Sequence, residues 1–206
     1  MPTELSEEKL KQLYFPPVKE PVVVRVPKMN FLMVDGCGHP RRGDEFTASI
    51  GVLYGTAYTM KFMYEKGHPI RDGRVQPLEG LFWMRGRKRF DIGAGKELRW
   101  TLMLRQPACV NRRAVRAAIE ELRKKKDPPG LAGLRFGSFA EGWSVQVMHI
   151  GPYSAEQPTI EMMHDWAGNR GYRLRGKHHE VYLSDPQRTK PERLKTVIRH
   201  PVEKRK

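Results

Sequence analysis

Acidic residues are in short supply in this chain: 23 Asp and Glu stand against 38 Lys and Arg, a formal charge of +15. That imbalance keeps a nucleic acid or another anionic surface in view as a partner before any motif is read. Cysteine is scarcer still. Cys37 and Cys109 are the only two, and they have no metal or redox spacing, so they read as free thiols of a reducing cytoplasm. No run of about 18 apolar residues occurs, which excludes a transmembrane helix. Residues 1–19 are polar and charged, unlike a secretory signal. There is no serine nucleophile elbow and no glycine-rich phosphate loop. The first twenty residues are too short for a helix-turn-helix domain. His178-His179-Glu180 lacks any companion such as His-Glu-x-x-His, and adjacent strand residues point to opposite faces. Neither a metal nor a cofactor is therefore expected. His149 and His164 read as core or rim histidines.

What the chain does contain is one strand signal that occurs twice around a glutamate. In Lys177-His178-His179-Glu180-Val181-Tyr182-Leu183, residues His179, Val181 and Leu183 alternate with Glu180 and Tyr182. Period two with β-branched and aromatic residues is a strand. Pro77-Leu78-Glu79-Gly80-Leu81-Phe82-Trp83-Met84 also sets a glutamate inside an apolar, aromatic strand. Each is preceded by the same sequence of features. Before Glu79 come Phe31-Leu32-Met33-Val34, then Asp35, a turn at Gly36-Cys37-Gly38-His39-Pro40 and a helical pattern from Asp44 to about Lys66. Before Glu180 come Trp143 to Ile150, Gly151-Pro152-Tyr153 and a helical pattern from Pro158 to Asn169. An internal repeat of this kind reshapes the fold expectation. Two copies are too few for a solenoid, so a pseudo-twofold domain with a site between its halves is expected.

The remaining chain fits one domain of 206 residues. Residues 1–20 form an N-terminal extension, 21–110 repeat one, 111–130 a connecting helix and linker, 131–186 repeat two, and 187–206 a C-terminal extension with a frayed, basic end. Pro27 is expected to interrupt the Val22 to Val26 strand. The helix from Asp44 carries Phe46, Ile50, Leu53, Tyr54 and Tyr58 on one buried face, and Tyr54 and Tyr58 are the wall if a cavity borders it. Residues 67–76 read as a loop and Arg85-Gly86-Arg87-Lys88-Arg89 as a basic turn. Asn111 caps an amphipathic helix with Val115, Ala118, Ile119 and Leu122 inward. A hairpin is expected across Ala140-Glu141-Gly142.

Pro77-Leu78-Glu79-Gly80-Leu81-Phe82-Trp83, Trp100 to Pro107, Gly151-Pro152-Tyr153, His178 to Pro186 and Leu194 to Arg199 together resemble the stand-alone GyrI-like proteins. The resemblance runs in order over nearly the whole chain. It implies an α+β fold of duplicated β-α-β-β units with pseudo-twofold symmetry, an antiparallel sheet, and a ligand cleft between the halves. It also implies a cleft lined by aromatics around a central Glu. The family includes effector-binding domains of multidrug-responsive regulators and hydrolases of cyclopropane-bearing DNA-alkylating antibiotics.

Residue chemistry narrows the expected site. A carboxylate facing an apolar cavity needs partners, and burial raises a carboxyl pKa toward the range of a general base. Glu180 and Tyr153 are the expected catalytic pair. Glu79, Trp83, Trp100, Trp143, Tyr54, Tyr58, Tyr182 and His149 are the expected ligand-binding set, since aromatic faces take planar and cationic groups. Two tasks fit: capture of a planar lipophilic or cationic molecule, and hydrolysis of a cyclopropane-bearing xenobiotic. A rival class is a basic nucleic-acid-associated protein. Residues 170–206 hold twelve Lys and Arg against four Asp and Glu, a local balance of +8, which supports non-specific DNA contact.

Overall fold

Long-range strand pairing overrides two local breakers in this chain. In a computed structural model that describes residues 4–39, 43–84 and 98–205, β1 (Val22–Cys37) runs straight through Pro27, and β4 (Arg135–Ile150) runs straight through Gly142. The two strands are antiparallel partners, with Val22 opposite Gln146 and Met33 opposite Arg135. The expected hairpin across Ala140-Glu141-Gly142 is thus corrected to one continuous strand. Gly142 takes a left-handed φ of 81°, a conformation glycine adopts at no steric cost, and the strand continues through it.

The other elements are α1 (Glu7–Tyr14), α2 (Asp44–Phe62), the short α3 (Pro69–Asp72), β2 (Leu78–Trp83), β3 (Arg99–Gln106), α4 (Arg112–Lys125), α5 (Gln157–Asn169), β5 (Tyr172–Leu174), β6 (His178–Tyr182) and β7 (Lys195–Lys204). The sheet order is β4-β1-β3-β2-β6-β7-β5, and β4 also pairs with β7, so six strands close on themselves. Every pairing is antiparallel. Ser6 caps α1 and Asn111 caps α4 through their side chains, as their residue types dictate. Among the described residues no helix is long and apolar enough to cross a membrane.

The fold is α+β, and β1-α2-β2-β3 is repeated as β4-α5-β6-β7. Strand lengths and register align the repeats: β1 with β4, both of 16 residues, β2 with β6, and β3 with the first part of β7. Leu78 lies opposite Tyr182 and Phe82 opposite His178, so the local twofold passes through the Gly80–Glu180 pair. Gly80 is therefore the repeat counterpart of Glu180, and Glu79 the counterpart of His179. Gly38 and Gly151 are counterparts too, with φ of 95° and 143° at the strand exits.

The closed sheet separates two cores. On one face Leu32, Trp100, Leu102, Val147 and Ile198 meet α2, α4 and α5. On the other, Phe31, Met33, Met103, Val181 and Val197 meet Leu13 and Tyr14 of α1. Val197 to Val202 lie inside β7 and are buried, so residues 195–204 are the last strand of repeat two rather than an extension. Glu203 and Lys204 belong to β7 and the Arg205 N–H donates to the Gly171 carbonyl at 2.8 Å, so these three residues are not frayed. The expected loop at 67–76 contains α3, started by Pro69 at its first turn. Pro40, the basic turn at 85–89 and Lys206 lie outside the described residues.

Candidate functional site

Alternation along β6 sends Glu180 and Tyr182 to the helix face of the sheet and His179 and Val181 to the opposite face. Above Glu180, α2 spans one side and the Tyr153–Ala155 turn the other. Between them lies a cavity of about 880 Å³. Its walls include Phe46, Ile50, Tyr54 and Tyr58 of α2, Leu10, Tyr14 and Phe15 at the α1 end, Leu78 and Phe82 of β2, and Tyr153, Tyr182 and residues 183–187 of repeat two. The cleft thus lies between the halves. Tyr54 and Tyr58 stack at 6.3 Å and 27°. Tyr153 meets Tyr182 edge-on at 5.5 Å.

Glu180 is 2% exposed. His178 places Nε2 at 3.0 Å from Glu180 Oε1. An ionised carboxylate only accepts, so Nε2 is the donor in this pair. The Tyr182 hydroxyl also bonds Glu180. Burial first, then the Glu180 and Glu156 charges, push the Tyr182 hydroxyl well above its ordinary pKa, so it stays a proton donor. Burial similarly raises Tyr54 against a backbone hydrogen bond at Leu78. The cleft therefore offers flat apolar walls, neutral phenols and one carboxylate.

Several expected ligand-binding residues fall elsewhere. Glu79 is fully buried on the opposite face, where the Tyr14 hydroxyl donates to its Oε1 at 2.7 Å and His179 Nε2 lies 3.0 Å from its Oε2. The one-residue offset between the repeats is the reason. Trp100 is core, edge-on to Phe46 at 5.2 Å, and its ring fills the space above Gly36. Trp83 lies under the Lys177 ammonium, 3.2 Å from the ring centroid. Trp143, next to Gly142 on β4, is 56% exposed. His149 is buried beside the cleft with Nδ1 2.9 Å from Thr159 Oγ1. Burial lowers its pKa, and Glu180 acts on it in the opposite sense. Phe46, Ile50, Phe82 and Tyr14 are cleft residues that the sequence did not single out as such. The four-residue spacing of Phe46, Ile50, Tyr54 and Tyr58 is the signal that identifies a single helical stripe.

Beneath the cleft, on the sheet's other face, Glu79, His179, Glu141 and Arg199 form a buried, charge-balanced group. His179 Nδ1 lies 3.0 Å from Glu141 Oε2, and Arg199 Nη1 3.6 Å from the same oxygen. Burial disfavours the imidazolium, but Glu141 and Glu79 outweigh it and raise His179 to about 9. Glu141 is lowered: burial opposes this, and His179 and Arg199 overcome it.

A buried carboxylate in an apolar, aromatic cleft of this size, set between two repeats, defines a small-molecule-binding protein. The family model of the GyrI-like small molecule binding domain matches residues 19–203, and the chain belongs to that family. A crystal structure of a conserved protein from Listeria innocua is similar over 95% of this chain and 98% of its own, at 38% identity and a TM-score of 0.84. A hydrolase from Listeria innocua is 37% identical over 95% of this chain and 98% of its own, with a TM-score of 0.78. The C-terminal domain of EcmrR, 14% identical, shares the fold over 90% of this chain and 98% of its own at a TM-score of 0.55. No curated protein sequence matches the chain.

Proposed function

We propose that the cleft takes a planar, lipophilic molecule and that Glu180 acts on it as a general base, hydrolysing a strained cyclopropane of a conjugated alkylating agent. The observation that carries this reading is the position of Glu180, buried on the aromatic floor and oriented by His178 and Tyr182. In the step proposed, Glu180 takes a proton from water as the water oxygen bonds to a cyclopropane carbon. The ring C–C bond breaks and its electron pair moves through the conjugated system onto the carbonyl oxygen. A tyrosine hydroxyl, Tyr153 or Tyr182, protonates that oxygen, and the proton on Glu180 returns to the phenolate through solvent. Water is thereby added and nothing is oxidised. The hydrolase from Listeria innocua lends support as a relative, and the aromatic walls suit a planar ligand.

The test is Glu180→Gln in a turnover assay with a cyclopropane-bearing alkylator, beside a binding assay with the ring-opened product. Turnover falls at least about 100-fold, as for loss of a general base, while product binding and melting temperature change little. Glu79→Gln, on the far face, keeps turnover in whatever fraction remains folded. Full turnover by Glu180→Gln removes the hydrolytic role. Retained tight capture with no turnover in the wild type leaves sequestration as the function.

A further inference from the structure

Three histidines converge where the function above needs none of them as a ligand contact. His178 on β6 and His200 on β7 each lie one residue beyond the His179–Arg199 pair, and both face α5. His164 of α5 descends onto them. The three residues are 7%, 1% and 2% exposed for His164, His178 and His200. Each offers a ring nitrogen, and these nitrogens all lie within 4.8 Å of one another. His164 Nε2 and His200 Nδ1 are 3.3 Å apart, with the rings at 85°. Zinc–imidazole bonds of about 2.0–2.1 Å in a tetrahedron require nitrogens about 3.4 Å apart, so this edge already has the coordination spacing.

We propose that His164, His178 and His200 form a site for a nitrogen-preferring divalent transition metal of the zinc class, seated between α5 and the sheet. Two further observations support it. His178 Nε2 lies 3.0 Å from Glu180 Oε1, which makes Glu180 the outer carboxylate that commonly orients a metal-binding histidine. His200 Nε2 is buried with no hydrogen-bond partner among the described residues. A metal here ties α5 of repeat two to the strand that bears Glu180.

The full chain, stripped with a chelator, is titrated with Zn²⁺ alone by calorimetry and with Co²⁺ by absorption. One equivalent binds, and the Co²⁺ complex gives the intense visible bands of a low-coordinate nitrogen site. His200→Gln and His164→Gln each weaken Zn²⁺ binding at least about 100-fold, and Glu180→Gln weakens it about 10-fold as an outer-shell change. No binding by the folded wild type at millimolar Zn²⁺ overturns the site. Equal affinity in the two histidine variants also overturns it, because the ion then lies elsewhere. If those variants do not fold, X-ray absorption of the wild-type Zn²⁺ complex decides: three imidazoles support the site, and oxygen ligands alone overturn it.

Discussion

Gly80 lies directly opposite Glu180 across the β2–β6 seam, and the local twofold that relates the two repeats passes between them. One repeat places a carboxylate at this point and the other places no side chain at all. The cleft is consequently asymmetric, with one acid beneath it. A Cβ on Gly80 meets the Phe82 ring at 2.6 and 2.8 Å, and Phe82 is itself a cleft wall. Gly80→Ala is expected to destabilise the fold by about 1–3 kcal/mol through overpacking and to weaken ligand binding by moving Phe82. Urea denaturation and a binding titration check this. An unchanged midpoint together with unchanged affinity sinks it.

Tyr58 is 47% exposed and stacks on both Tyr54 and Phe62. Its ring forms a wall of the cleft without forming much of the core. Tyr58→Ala is expected to reduce affinity for a planar ligand by about 0.5–1.5 kcal/mol, while the melting temperature stays nearly constant. A large fall in melting temperature with affinity intact would show the opposite division of labour.

His179 gives stability a definite pH dependence. Its folded pKa, about 9, is raised above the ordinary 6.5, so the folded state holds this proton more tightly than the unfolded chain. The contribution is fully present below about pH 6.5 and is lost as pH rises through 9, on the order of 3 kcal/mol. Glu141 is shifted the other way, so its contribution is lost as pH falls through its lowered folded value. Denaturant midpoints between pH 7 and 10 should fall for the wild type more steeply than for His179→Gln. Parallel slopes for the two proteins rule out His179 as the group responsible.

Four of the twelve basic residues in 170–206 are engaged within the fold. Arg199 is buried against Glu141, Arg170 pairs with Glu20 and stacks on Trp166, Arg173 pairs with Glu203, and Arg175 bonds the Val202 and Glu141 carbonyls. Duplex DNA binding is therefore expected to be weak and sequence-independent, with its logarithm falling linearly with the logarithm of salt. Fluorescence anisotropy across a salt series, run beside ligand binding, measures this. Tight, salt-tolerant, sequence-specific binding would promote the nucleic-acid class over the small-molecule one.

The repeat, the strand nature of the Glu79 and Glu180 segments and the amphipathic helices were readable from residue order, because periods of 2 and 3.6 and capping residues are local properties. The side to which Glu180 and Tyr182 point, opposite to His179 and Val181, was readable for the same reason. Pro27 and Gly142 misled because a breaker acts on its own neighbourhood, whereas β1 and β4 are held by pairing between distant segments. The tryptophans misled because ring type says nothing about which wall a strand faces once the sheet has closed: Trp100 went to the core and Trp143 to solvent. The one-residue offset that makes His179, not Glu180, the counterpart of Glu79 follows from register, which only strand pairing sets. His164, His178 and His200 have no motif spacing, and their meeting depends on α5 packing over β6 and β7.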